Sequence, residues 1–253
     1  MHRRLNGFER PFTNDQMLSW VCEPVAAVIF YLIVSPFAFD EVRIALLTVH
    51  SVLLAAHVAC WLYCSLTDPG VDSGCPWPCM AESQKEVRYC SVCNKQVPGL
   101  DHHCTWLNTC IGKRQYPAFF ALVTIGTFMF WFEAVMFICL LTVWRTPETE
   151  AKAVEILGSL VTYKVLLSLA TCFAAGLACS LSILFVFHMF LQFTGKGTYA
   201  WMISNREKKV EKAKREKALA REQEMTKAKT TQETNGLAKV SSDSLSSREI
   251  AHV

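Results

Sequence analysis

Between Tyr89 and Gly112 the chain reads Tyr-Cys-Ser-Val-Cys-Asn-Lys-Gln-Val-Pro-Gly-Leu-Asp-His-His-Cys-Thr-Trp-Leu-Asn-Thr-Cys-Ile-Gly. Cys90 and Cys93 make a Cys-x2-Cys knuckle, in which a tight turn aims two sulfurs at one zinc ion. Zinc closed by four N and S ligands keeps no position for water and is structural. Two further ligands must come from His102, His103, Cys104 and Cys110, so two are spare, one His and one Cys if the set is mixed. The spare pair has Asp101 beside it. A thiol next to an imidazole that a carboxylate orients has the makings of an activated nucleophile. Spacing does not say which His binds metal, and a purely structural zinc knuckle with incidental neighbours is the plain alternative.

The elements that must hold this segment are membrane spans. Of 253 residues 52% are hydrophobic and 19% charged, and the mean hydropathy is +0.24 although the chain ends in a polar tail. The apolar residues lie in four blocks, Leu18–Phe39, Val42–Leu66, Ala118–Trp144 and Val165–Phe193. Each reaches the roughly 20 residues that a bilayer helix needs. Pro24 and Pro36 in the first are tolerated in such helices. The basic start, Met-His-Arg-Arg, is not followed by a short apolar core with a small-residue cleavage site, so the first span reads as a retained anchor. Size excludes a secreted disulfide miniprotein, and hydrophobicity excludes a disordered chain. Nucleic-acid binding is not suggested, because no basic stripe is interleaved with aromatics.

Lys and Arg outnumber Asp and Glu 13 to 8 from Lys196 onward, whereas the residues before it carry 12 against 14. With Arg3, Arg4, Arg10 and the basic residues of the 67–117 loop, this puts both termini and that loop on the cytosolic side. Cys75, Cys79, Cys90, Cys93, Cys104 and Cys110 then lie in a reducing compartment, where metal binding or catalysis outranks disulfides. The segment 145–164, with three basic and three acidic residues, reads as a loop on the far side. Asn205–Lys229 has helical propensity and little apolar periodicity, a solvated helix with basic residues near the membrane surface. The Ser/Thr-rich Thr230–Val253 reads as disordered.

Asp101-His102-His103-Cys104, followed by Trp106, Asn108, Cys110 and Gly112 between the second and third of four spans, resembles the DHHC-type protein S-acyltransferases, or palmitoyltransferases. Asp68-Pro69-Gly70 is similar to that family's Asp-Pro-Gly motif. Gly197-Thr198-Tyr199-Ala200, after His188 at the end of span four, resembles a decayed Thr-Thr-x-Glu motif. The resemblance implies that Cys104 becomes acylated, that His102 is the general base and that Asp101 orients it. It makes His103 the fourth ligand with Cys90, Cys93 and Cys110. Family members usually hold two zincs. Here Tyr89 and Gln96 replace two ligands of the other site, and Cys75-Pro-Trp-Pro-Cys79 has the wrong spacing upstream, so one zinc is expected. Thr105 stands where Pro is common, Thr109 and Gln115 where Asn is, and Ala200 replaces the motif's Glu.

Lys113 and Arg114, with Trp106, are the candidates to hold acyl-CoA, the two cations facing its phosphates; ordinary positive-inside anchoring explains the cations equally well. Glu133 falls in mid-span, with His50 and His57 at nearby depths, and is read as an interhelical polar contact. His57, Cys60 and Cys64 share a helix face, read as packing rather than as a metal site. Phe128, Phe130, Trp131 and Phe132 face lipid or pack.

The expectation is an all-α integral membrane protein of four transmembrane helices with a small zinc-braced cytosolic loop. Its parts are an N-terminus (1–17), two spans (18–66), a catalytic loop (67–117), two spans (118–193) and a charged tail (194–253). The expected activity is transfer of a long-chain acyl group from acyl-CoA to a cysteine of a cytosolic or membrane-bound protein, in an endomembrane (endoplasmic reticulum or Golgi) or the plasma membrane. The runner-up is an inactive zinc-containing membrane adaptor, and a channel is third.

Overall fold

The computed structural model describes residues 3–71 and 86–249, with side chains as far as residue 227. Four helices are long and apolar enough to cross a membrane: α1 (Asn14–Phe37), α2 (Asp40–Leu66), α3 (Tyr116–Leu141) and, after a short helix, α5 (Leu160–Thr194). The short helix is α4 (Pro147–Leu157), and α6 (Thr198–Glu249) ends the described chain. Between α2 and α3 lie two hairpins, β1 (Val87–Cys90) with β2 (Lys95–Pro98) and β3 (His102–Cys104) with β4 (Thr109–Ile111). The chain is therefore mostly helical, with its only described strands in the cysteine-rich loop.

Local chemistry sets the helix ends. Thr13 caps α1 by accepting the Gln16 N–H at 3.2 Å, and Asp40 and Glu41 place negative charge in the first turn of α2. Pro117 occupies the first turn of α3, where a missing N–H costs nothing. Half of the most apolar stretch of α3 is buried, against 28% for α1, 17% for α5 and 11% for α2, so α3 is the central span. Phe30 and Val34 of α1, Phe137 of α3 and Leu167 of α5 share one core. Phe128 and Trp131 are exposed on α3 while Phe130 is buried, in line with lipid-facing and packing roles.

Segment 145–164 is not a loop. Thr146 caps α4 by accepting the Thr149 N–H at 3.2 Å, Pro147 opens it, and Gly158 at φ 74° closes it. The balanced charges of this segment hid an amphipathic helix that buries Ala153 in the core. A second correction concerns the tail. α6 continues through the Ser/Thr-rich stretch to Glu249 instead of giving way to disorder at Thr230. No Pro interrupts Thr198–Glu249, and each Ser or Thr costs a helix only a few tenths of a kcal/mol, about 0.5 at most. The main unit ends at Trp201 and the remainder of α6 forms a second unit.

The intramembrane polar groups pair across helices. His50 of α2 and Glu133 of α3 meet at 2.8 Å, both fully buried, and Phe30 stacks on the imidazole at 3.9 Å. His57 does not join them. It meets Glu23 of α1 at 3.3 Å, a partner missed because Glu23 stands alone in an apolar run. Cys64 is buried among apolar side chains. Removing one member of the His50–Glu133 pair leaves the other unpaired, so Glu133→Leu is expected to lower stability by about 1–2 kcal/mol. The double variant Glu133→Leu with His50→Leu should recover most of the loss. Thermal unfolding in detergent measures both, and equal loss in the double variant would refute the coupling.

Candidate active site and metal centre

β3 is three residues long, yet its alternation organises the site. Successive strand side chains point to opposite faces. His102 and Cys104 therefore share one face and His103 takes the other. The register pairs His103 with Cys110 across the hairpin, so these two project together. Facing them, the β1–β2 hairpin presents Cys90 at the end of β1 and Cys93 in its turn, where Asn94 adopts φ 52°. The hairpins meet closely at Gly112, where a Cβ would lie 2.7 Å from Val97 Cγ1 and 2.9 Å from Pro98 O.

The ligand atoms of Cys90, Cys93, His103 and Cys110 all lie within 4.8 Å of one another. His103 Nδ1 is 3.3 Å from Cys93 Sγ, 3.7 Å from Cys110 Sγ and 3.9 Å from Cys90 Sγ, and the Cys110 and Cys93 sulfurs are 3.4 Å apart. Metal–ligand bonds of about 2.1–2.3 Å in a tetrahedron separate the donors by similar distances. The sulfurs of Cys90 and then Cys93, followed by burial, push the Cys110 thiol up; a divalent cation would reverse that effect. Three sulfurs and an imidazole nitrogen thus form a donor set that fits a metal ion. It is the only such cluster among the described residues. Tyr89 and Gln96 are direct cross-strand partners and both are exposed, so the two departures fall on one outer patch of the β1–β2 hairpin. Cys75 and Cys79 lie outside the described residues.

On the opposite face of β3, His102 Nδ1 bonds the Asp101 carboxylate at 2.9 Å, and Cys104 is the next side chain on that face. Burial pulls the His102 pKa down, but the bonded Asp101 carboxylate and then the nearby Cys104 sulfur outweigh it and carry the group to about 9. Asp101 is fully buried. Burial raises it, but His102, the Thr198 hydroxyl at 2.6 Å and the Thr198 N–H at 2.8 Å lower it to about 2. Thr198 is the first residue of α6, a helix end that favours a carboxylate. The motif around Thr198 thus reaches Asp101 through both the hydroxyl and the N–H of Thr198.

The apolar wall was less legible. The His102 ring lies 5.2 Å from Phe119 and 5.9 Å from His188, whose Nδ1 is 3.3 Å from the Tyr116 hydroxyl. Cys104, 7% exposed, belongs to a cluster with Leu107, Ile111, Tyr116, Phe119 and Leu122, so the thiol sits where the hairpin meets the spans. Asp68 at the end of α2 accepts from the Gly70 N–H at 2.8 Å and from Lys95 Nζ at 2.7 Å, tying the β1–β2 hairpin to that helix. Trp106 lies on the β3–β4 turn, half exposed, and Lys113 and Arg114 follow β4, half-buried, on the approach to α3.

The model of one known family, the DHHC palmitoyltransferases, matches residues 73–205, more than half of the chain. The chain belongs to the DHHC palmitoyltransferase family. Among curated relatives, the probable protein S-acyltransferase 15 of Arabidopsis thaliana is 29% identical over 113 residues, 45% of this chain and 41% of that protein. Protein S-acyltransferase 8 of the same plant is 32% identical over 130 residues, 48% of this chain and 28% of the relative. A palmitoyltransferase of Emericella nidulans is 40% identical over 60 residues, 24% of this chain and 10% of its own length. The matched stretch spans less than half of each of these relatives. This DHHC family member thus carries the Asp101-His102-Cys104 group and the Cys90-Cys93-His103-Cys110 cluster side by side on two small hairpins.

Proposed function

We propose that the protein is a protein S-acyltransferase that moves a long-chain fatty acyl group from acyl-CoA to a cysteine of a target protein by way of Cys104. The observation that carries this reading is Cys104 beside His102 on one face of β3, at the edge of the apolar spans, with His102 bonded to Asp101. Cys104 passes its proton to His102, whose raised pKa of about 9 favours holding it, and the resulting thiolate attacks the thioester carbonyl of acyl-CoA. The tetrahedral adduct collapses, the bond to the CoA sulfur breaks, and that sulfur leaves with the proton from His102. A target thiol then gives its proton to His102 and attacks the acyl-Cys104 carbonyl, and Cys104 leaves as the thiol. Splitting transfer into two such steps is nucleophilic catalysis. Asp101 keeps the imidazole oriented and stabilises its charged form.

Cys90, Cys93, His103 and Cys110 would hold one zinc. With four protein ligands such an ion has no open position, so it braces the hairpins and takes no part in the proton transfers. Lys113 and Arg114 would meet the CoA phosphates and Trp106 the adjoining part of the donor. A cavity of about 460 Å³ between α1, α2 and α3 is lined by Trp61, which also packs on the cluster around Cys104, and offers apolar room for a chain. The positive-inside pattern supports a cytosolic site with both termini on that side, in an endomembrane or the plasma membrane.

Labelled acyl-CoA incubated with the purified protein should leave label that neutral hydroxylamine removes. Absence of label would sink the reading. Elemental analysis should find about one zinc per chain. Cys90→Ala should lose that zinc and unfold the hairpins, because the binding free energy of such a site is folding free energy. Two zincs would show that Cys75 and Cys79 rebuild a second site.

A further inference from the structure

Chain ends fray unless something ties them down. Residues 3–13, ahead of α1, are tied down at nearly every step, and to the reactive hairpin. Arg4 is 8% exposed. Its N–H bonds the Cys93 carbonyl at 3.0 Å, beside the metal cluster. Its guanidinium forks: Nη1 bonds the Asn108 side-chain oxygen and, at 3.3 Å, the Asn108 carbonyl, while Nη2 bonds the Pro11 carbonyl at 3.1 Å. Asn108 returns the grip, donating through Nδ2 to the Pro11, Gly7 and Glu9 carbonyls at 3.1–3.3 Å. Gly7 lies so close to the turn that a Cβ there would sit 2.2 Å from the Leu107 carbonyl, and its N–H bonds the Ser65 carbonyl at 2.8 Å. Lys95 reaches the Leu5 carbonyl at 3.1 Å. Thr13 donates to the Thr105 carbonyl, and the Thr105 hydroxyl to Asp15. Proline, common at position 105 in the family, has no hydroxyl to give.

Every one of these turn contacts falls on the four residues 105–108, which join Cys104 to its cross-strand partner Thr109. Asn108 adopts φ 53°, a left-handed conformation that asparagine tolerates and its bonds to the strap hold in place. The direction of the Cys104 side chain is set by the end of β3, and the end of β3 by this turn. We infer that the N-terminal strap is a working part of the catalytic site, with Arg4 the positioning residue that grips the β3–β4 turn through Asn108 and so holds Cys104 against His102. The inference rests on the reading of Cys104 as the acyl carrier. Arginine suits the task because its rigid fork bonds Asn108 and Pro11 at once, which a lysine ammonium cannot reproduce. A misplacement of about 1 Å at a reacting atom costs on the order of 10²-fold in rate.

The experiment measures two rates on the full chain in detergent: alkylation of Cys104 by iodoacetamide, followed by peptide mass spectrometry, and acyl-enzyme formation from palmitoyl-CoA. Zinc content is read in parallel. Arg4→Ala should keep its zinc, slow both rates roughly ten- to hundredfold and leave the KM for palmitoyl-CoA within about twofold. Arg4→Lys should fall between, and added guanidinium should restore part of the Arg4→Ala rate. Lys152→Ala, which removes one positive charge from an exposed position of α4 outside the strap, should match the parent protein. Combined with His102→Ala, Arg4→Ala should slow alkylation no further than His102→Ala alone, because both act on one contact. Parent-like alkylation in Arg4→Ala, zinc loss in proportion to rate, or multiplicative loss in the double variant would each overturn the inference. If the parent protein takes no acyl label while Arg4→Ala still slows Cys104 alkylation, the acyltransferase reading fails and the positioning role stands.

Discussion

Cys104→Ser is expected to abolish the hydroxylamine-labile acyl label while the protein still inserts in membranes and holds its metal. The two halves of that result follow from the two faces of β3. Cys104 shares its face with His102 and contributes nothing to the Cys90-Cys93-His103-Cys110 cluster, so the exchange of sulfur for oxygen leaves the metal ligands untouched. The volume change is small, and the site already surrounds a polar group. What is lost is the nucleophile. A thiol, in water an acid of pKa about 8.5, can pass its proton to a neighbouring imidazole, whereas a serine hydroxyl is a far weaker acid and a poorer match. The loss should exceed about 10³-fold, to the background of the assay. Cys110→Ser provides the contrast, since it should lose metal and label together. Labile label persisting on Cys104→Ser would assign the nucleophile to another cysteine; an oxyester that survives neutral hydroxylamine would show the substituted serine acylated in the thiol's place.

How much of this was readable in the chain depends on the length scale of each feature. The four spans are a property of local composition, and the ends of α2 and of the described site fall close to where the apolar blocks stop. The Cys-x2-Cys knuckle is equally local. Which histidine binds metal was not legible from spacing alone, because His102 and His103 are neighbours and β3 is too short to show an alternating pattern of polarity. A signal existed all the same. If the segment is extended, period two puts residues 102 and 104 on one face and 103 on the other. That separates the proposed nucleophile and base from the proposed metal ligand without any appeal to family. α4 was hidden for the opposite reason. Its Thr-Pro start and Gly end are ordinary helix boundaries, but a short run with equal numbers of positive and negative residues invites a loop. The bonds from Arg4 to Asn108 join residues 104 positions apart and leave no trace in any window of sequence. The same holds for Thr198 with Asp101, and for His57 with Glu23. Such contacts become visible only when the hairpins and spans are assembled.

His102→Ala and His103→Ala, changes at adjacent positions, are expected to fail in different ways. His103 Nδ1 lies within 3.9 Å of three sulfurs, and the imidazole opposes Cys110 in the register of the hairpin. Its removal leaves three sulfurs crowded together with one ligand position unfilled. Metal affinity should fall, the two hairpins should lose their brace, and the label on Cys104 should disappear along with the zinc. His102 touches none of those sulfurs. It bonds Asp101, shares its strand face with Cys104 and packs its ring on Phe119. Its removal should leave zinc and folding nearly intact, and slow acyl-enzyme formation by about 10²–10⁴-fold, the usual cost of a lost general base. Asp101 tightens the contrast. With His102 gone its carboxylate keeps both bonds from Thr198, so the start of α6 should stay docked on the hairpin. Zinc content by elemental analysis and the rate of label uptake, measured on both variants at one pH, separate the roles. Zinc loss in His102→Ala with retention in His103→Ala would exchange the assignments. Loss in both would mean that the two faces of β3 do not fold independently of each other's side chains, and the division of labour argued from strand alternation would fail with it.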